Sequence, residues 1–149
     1  MTMNPEINYF FEDITIKRHL LPAKRWIKDC LQQEGYTIDV LNFIYCSDQY
    51  LQKMNKKYLN KAYLTDVISF EHHKPKFMEE SHAKKLVSGD IFVSIDRVRE
   101  NKRTYNTIFM KELKRVMVHG ALHLIGFKDS TKKDRVIMLA KENIYIEAK

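Results

Sequence analysis

The feature that most constrains the fold is a helical pattern that begins at Ile95 and continues almost to Lys149. Breaks occur at residues 105–107 and at residues 126–130, where glycine and polar residues interrupt the apolar spacing. The pattern therefore predicts consecutive helices in the last part of the chain.

Strands and helices alternate before that region. The letters LPAKRWIKDCLQQEG indicate a helix with Pro22 near its start and Gly35 just past its end, and SDQYLQKMNKKYL indicates a second, with Ser47 and Asp48 as competing N-caps. Segments rich in β-branched and aromatic residues predict strands at INYFFE, TIDVLNFIYC, LTDVISFE and GDIFVS. For a chain of 149 residues we expect one α+β domain spanning residues 1–149. We expect a small mixed four-stranded sheet, covered by about five or six helices.

Charge, cysteine usage and the N-terminus limit the classes of function. Lys and Arg outnumber Asp and Glu by 26 to 19, and the net charge of +7 favours an acidic partner such as nucleic acid. Cys30 and Cys46 lie in apolar surroundings without CxxC spacing, which predicts buried, reduced thiols in a cytoplasmic protein. Glu6, Glu12 and Asp13 stand where a signal peptide would need basic residues and then an apolar core. No apolar run is long enough to cross a membrane, so we expect no membrane association.

The stretch VMVHGALHLIGFKDS, residues 116–130, contains the candidate functional site. On a helix, His119 and His123 lie about 40° apart, at the edge of an apolar stripe that predicts the core face. Such a pair can direct both imidazoles at one cation, and Asp129, on the turn that Gly126 begins, can fold back as a third ligand. An N,N,O set with an open fourth position polarises water or a phosphoryl oxygen. The stripe consists of Phe109, Leu113, Val116, Met117, Gly120 and Leu124.

The alternative interpretation of the two histidines is structural. HxxxH spacing often arises by chance, and a histidine at the edge of a core helix is usually only hydrogen-bonded. A zinc peptidase of the HExxH type is not expected, because Gly120 occupies the position of the glutamate that acts as general base.

Several segments resemble the YbeY-type metal-dependent endoribonucleases, which mature ribosomal RNA in bacteria. HGALHLIGFKD is similar to the family signature HGxLHLxGYDH. MNKKYLNKAYLTDVISF and GDIFVSIDRV…ELKRVMVHG are similar to further segments of that family, in the same order along the chain. The resemblance implies one zinc ion per chain, bound by His119, His123 and the residue at position 129.

Two positions depart from the family pattern. The third ligand of the family is usually a histidine, and here Asp129 stands in its place; aspartate is also a competent zinc ligand. The arginine expected after NKKY, to which the family pattern assigns a role in catalysis, is Leu59 here. Lys56, Lys57 and Lys61 are near enough in sequence to supply a cation, although a lysine lacks the bidentate fork of arginine.

Other polar residues are candidates for supporting roles. Asp66 is a possible general base or partner of the site, or a structural residue at the start of a strand. Glu112 and Arg115 lie on the same helix as the histidines and are either neighbours of the ligands or a solvated charged pair. The polar loop after TDVISF offers possible further ligands in His72, His73 and His82 and possible phosphate contacts in Lys74, Lys76, Lys84 and Lys85.

These features together predict a single-strand-specific, zinc-dependent endoribonuclease that acts in ribosomal RNA maturation and ribosome quality control. Its partners would be RNA and the small ribosomal subunit. Catalytic roles are predicted for His119, Asp66 and Lys57. Two alternatives remain open: a non-catalytic metal-binding factor for ribosome assembly, which Leu59 favours, and a metallohydrolase of a small substrate.

Overall fold

The four predicted strands form one mixed sheet in the computed structural model, which describes residues 4–60, 65–72 and 85–149. The spatial order is β1-β2-β4-β3. β1 pairs with β2 and β2 with β4 in parallel, whereas β3 is antiparallel to β4. The strands are β1 (Glu6–Phe11), β2 (Thr37–Cys46), β3 (Val67–Glu71) and β4 (Leu86–Ser94). The α+β class and the mixed four-stranded sheet are therefore confirmed.

Helices cover this sheet, as the sequence predicts. The described residues contain five α-helices and a single-turn 3-10 helix at Arg18–Leu20. The helical pattern after Ile95 divides into three helices at the two predicted breaks. The helices are α1 (Lys24–Gln33), α2 (Asp48–Leu59), α3 (Ile95–Thr104), α4 (Phe109–Leu124) and α5 (Lys132–Ile146).

Local side-chain chemistry fixes several helix ends. Ser47, not Asp48, is the N-cap of α2, because its side chain accepts a hydrogen bond from the amide of Tyr50 at 3.1 Å. Thr131 caps α5 in the same way through the amide of Asp134. Gly35 follows α1 with a φ of 88°, a left-handed conformation that glycine adopts without strain.

α4 is the central helix of the fold. Gly120 brings it close to the sheet: a Cβ atom there would lie 2.7 Å from Ile91 Cγ2 and 2.9 Å from Val67 Cγ2. The predicted core stripe faces inward, but α4 is buried more widely than one stripe, since Val118, Ala121 and Leu122 are also buried. The reason is that α4 contacts α1, α3 and α5 as well as β3 and β4, so only a narrow face remains for polar residues.

The fold also bears on the two cysteines and on the apolar runs of the chain. Cys30 and Cys46 are buried, free thiols, as predicted. No helix within the described ranges is both long and apolar enough to cross a bilayer. Some predicted residues lie outside the described residues, namely Lys61, His73, Lys74, Lys76, His82 and Lys84.

Candidate metal centre

Three predicted ligands meet at the end of α4. The Nε2 atoms of His119 and His123 lie 3.0 Å apart, and Asp129 Oδ2 lies 3.3 Å from the first and 3.4 Å from the second. Ligands about 2.0–2.1 Å from a tetrahedral zinc ion are separated from each other by about 3.3–3.4 Å. One potential ligand atom from each of the three residues lies within 4.8 Å of the other two. The group therefore has the size and the donor types that a single metal ion requires.

The hydrogen bonds of the two imidazoles leave their Nε2 atoms, as electron-pair donors, facing one another. Nδ1 of His119 lies 2.8 Å from Glu142 Oε2, and Nδ1 of His123 lies 2.9 Å from the carbonyl oxygen of Phe127. A carboxylate and a carbonyl oxygen only accept, so each Nδ1 donates. In a neutral imidazole, Nε2 then carries a lone pair. Two lone pairs and a carboxylate oxygen face one another, an arrangement that a positive charge between them stabilises.

The electrostatics of His119 agree with this arrangement. Burial opposes the charged imidazolium, but the hydrogen bond from Nδ1 to Glu142 and the negative charges of Glu142, Asp66 and Asp129 outweigh it, so the pKa of His119 is raised. The surroundings of His119 thus favour a cation at this position.

The short segment after α4 returns Asp129 to the histidines. Gly126 has a φ of 105°, a backbone conformation that other residues rarely adopt, and a Cβ atom there would meet nothing within 4 Å. The positive φ alone, and not a lack of space, therefore explains why a glycine occupies position 126. The turn also brings the carbonyl of Phe127 within hydrogen-bonding distance of His123. One tight turn positions one ligand and orients another.

Glu142 is the residue that the sequence interpretation missed. It lies on α5, is 6 % exposed, and its Oε1 accepts a hydrogen bond from Nη1 of Arg115 at 3.0 Å. Arg115, one of the two candidates on α4, thus reaches His119 only through Glu142. Glu112, the other candidate, is buried, and burial raises its pKa.

Asp66 lies beside the group of three. Asp66 lines the cavities on both sides of the site together with His119 and Asp129, and its backbone carbonyl accepts a hydrogen bond from the amide of Ser94. Burial raises the pKa of Asp66 despite the attraction of His119. The position is compatible with the structural role and with the catalytic role considered from the sequence.

Two cavities open onto the site. One, of about 440 Å³, is lined by Leu59 and Asn55 of α2 and by residues 65–69, and reaches both histidines. Its described lining contains neither lysine nor arginine. The other, of about 800 Å³, lies toward α5 and is lined by Arg115, Arg135 and Glu142, among others.

The remaining candidates lie away from the three ligands. Nζ of Lys57 lies 5.1 Å from the centre of the Tyr58 ring, and Lys57 lines neither cavity. Nε2 of His72 contacts Asp90 Oδ1 at 2.8 Å instead of joining the other histidines. Lys56 and Lys85 also line neither cavity.

Comparisons with known proteins identify the family of this chain. Residues 8–148 match the family described as Endoribonuclease YbeY. An Endoribonuclease YbeY of Karelsulcia muelleri is 43% identical over 94% of this chain and 93% of the relative, and one of Cytophaga hutchinsonii is 39% identical over 95% and 94%. A solution structure of a Thermotoga maritima protein has a TM-score of 0.61 and 26% identity, and the match covers 95% of this chain and 87% of that one. This chain therefore belongs to the Endoribonuclease YbeY family.

Proposed function

We propose that this chain is an endoribonuclease that binds one zinc ion through His119, His123 and Asp129 and cleaves single-stranded ribosomal RNA. Membership of the Endoribonuclease YbeY family confirms the predicted enzyme class, a hydrolase acting on RNA. The observation that carries the metal assignment is the set of three acceptor atoms, 3.0 to 3.4 Å apart, with both Nδ1 atoms already engaged.

The residues around the ligands have separable roles in this proposal. When bound, a divalent cation supplies Lewis acidity, which polarises water and a phosphoryl oxygen. Asp66 accepts a proton from the attacking group, because it lines the site and its raised pKa makes it a stronger base than an exposed aspartate. Lys57 contributes positive charge for the RNA backbone from the adjacent surface of α2.

The substrate and setting follow from charge and family. A net charge of +7 attracts the phosphates of RNA, and the resemblance implies ribosomal RNA as the substrate and the small ribosomal subunit as a partner. We therefore propose a role in ribosomal RNA maturation and ribosome quality control in the cytoplasm.

A second function is favoured by one observation. Leu59 lines the smaller cavity, and no described lysine or arginine accompanies it. An RNA-binding assembly factor that binds metal but does not cleave would have no need of a cation there.

Cleavage of purified ribosomal RNA distinguishes the two functions. We expect slow fragmentation by the zinc-loaded protein and none with a chelator or with His119→Ala. His19→Ala is the matched control, because His19 is exposed on the 3-10 helix and lines neither cavity. Fragmentation that persists unchanged in His119→Ala would indicate a contaminating nuclease. RNA binding without cleavage would leave the assembly-factor function.

A further inference from the structure

We infer that Glu142 is a positioning residue for the metal centre and that Arg115 holds Glu142 in place. The inference rests on the proposed function, because it concerns the affinity of the same three ligands for their ion. Glu142 is not one of the three proposed ligands. It acts through His119.

Both oxygens of the Glu142 carboxylate have a dedicated partner. Oε2 accepts from Nδ1 of His119 at 2.8 Å, and Oε1 accepts from Nη1 of Arg115 at 3.0 Å. A buried carboxylate without such partners would be strongly destabilising. Because both partners lie on α4 and Glu142 lies on α5, the contacts fix the carboxylate between the two helices.

The contact determines which nitrogen of His119 is available. With a proton held on Nδ1 by Glu142, the lone pair lies on Nε2, which is the atom that faces His123 and Asp129. The carboxylate also makes the imidazole more electron-rich and therefore a better ligand. Removing such a partner of a ligand typically reduces metal affinity by about 10- to 100-fold.

The second histidine provides an internal comparison. Nδ1 of His123 donates to the backbone carbonyl of Phe127, a neutral acceptor that does not depend on a distant side chain. His119 instead depends on a charged residue that follows it by 23 positions. Of the two histidines, His119 is therefore the one whose Nδ1 partner a substitution on α5 can remove.

Arg115 supports the carboxylate from the other side. Its Nη2 also donates to Asn143 Oδ1 at 2.9 Å, so its guanidinium contacts two consecutive residues of α5. A lysine could not make both contacts with the same planar geometry. We expect Arg115→Lys to weaken metal binding less than Glu142→Ala, since the contact between Glu142 and His119 remains.

The direct test is the affinity for zinc, measured by competition with a chromophoric chelator. Glu142→Ala should bind zinc about 10- to 100-fold more weakly than wild type. The zinc affinity of Glu142→Gln should lie between those of wild type and Glu142→Ala, because an amide oxygen still accepts a hydrogen bond from Nδ1 of His119 but carries no charge. The matched control is Glu100→Ala, which removes an exposed glutamate of α3 that pairs with Arg103 and lines neither cavity; its affinity should equal that of wild type.

A spectroscopic readout requires no metal. Long-range ¹H–¹⁵N NMR spectra of the zinc-free protein report which nitrogen of His119 is protonated. In wild type Nδ1 should be the protonated nitrogen whenever the imidazole is neutral, and in Glu142→Ala this preference should be lost. A purely structural role for Glu142 would lower the melting temperature without changing the tautomer.

The outcomes separate this inference from the proposed function. If wild type binds no zinc, the proposed metal centre fails. If wild type binds zinc and folded Glu142→Ala binds it equally well, only the role of Glu142 is overturned. Should Glu142→Ala not fold, Glu142→Gln decides the matter: weaker zinc binding than wild type supports the inference, and wild-type affinity overturns it.

Discussion

The two sides of the candidate site are built differently. The side toward α5, formed by His119, Arg115 and Glu142, is a connected set of charge-assisted hydrogen bonds between 2.8 and 3.0 Å long. The side toward α2 is lined by Asn55 and Leu59, with Leu59 42 % exposed to solvent. The first side orients a ligand through charged side chains, whereas the second offers a cavity without a described cation.

This difference separates metal binding from catalysis. The side toward α5 holds a metal ligand in a fixed orientation, because the carboxylate of Glu142 accepts hydrogen bonds from both His119 and Arg115. The side toward α2 departs from the family at the position where the resemblance implies an arginine. Metal affinity should therefore depend on α5 and the turn after α4, and the rate of cleavage should respond to changes on α2.

Among substitutions of Asp129, Leu59 and Lys57, we expect the largest effect from loss of the Asp129 carboxylate. Asp129→Ala removes one of three direct ligands and should weaken zinc binding by about 10-fold or more. Asp129→His should retain binding, because an imidazole is the usual third ligand that the resemblance implies. Isothermal titration with zinc measures both. Asp29→Ala, which removes an exposed carboxylate on α1, is the control. Equal affinity of Asp129→Ala and wild type would exclude Asp129 from the centre.

Leu59→Arg should raise the rate of cleavage. Loss of one donor to developing charge can raise the activation free energy by about 2.7–4 kcal/mol, so partial restoration should accelerate cleavage by about 10-fold. The side chain is partly exposed, so the change should leave the core intact. Single-turnover cleavage of ribosomal RNA measures the effect, and Leu59→Met, which adds no charge, should behave as wild type. An unchanged rate with Leu59→Arg would show that the α2 side does not limit catalysis.

Lys57→Ala should have the smallest effect. An exposed ion pair typically contributes about 0.2–1 kcal/mol, which corresponds to at most about a 5-fold loss of rate. Lys53→Ala removes another exposed lysine of α2 and serves as the comparison. A loss specific to Lys57 would support its proposed contact with the RNA backbone. Equal losses in both variants would indicate only general attraction to the phosphates.

The parts of the fold that the sequence predicts are those set by local chemistry. The end of β2 and the start of α2 follow from Ser47 as N-cap, and the turn after α4 follows from Gly126, because each acts on its own neighbours in the chain. The two histidines could be paired because four residues of helix bring side chains to the same face. The spatial order of the strands was not predicted, since it depends on contacts between distant segments.

Glu142 could not be predicted from the hydrophobic pattern of α5. That helix exposes Val136, Leu139 and Ile144, while it buries Glu142 between Met138 and Tyr145. A pattern that assigns apolar residues to the core therefore places Glu142 in solvent. The spacing of Met138, Glu142 and Tyr145, four and then three residues apart, is the signal that places the glutamate on the buried face.

The most direct test of the metal centre is the metal content of the purified protein. Elemental analysis after zinc loading and desalting should give about one zinc per chain for wild type and for His19→Ala, and none at stoichiometric level for His119→Ala or His123→Ala. The reason is that each variant removes one of two imidazoles whose Nε2 atoms lie 3.0 Å apart. Stoichiometric zinc in both folded variants would place the metal elsewhere and contradict the assignment.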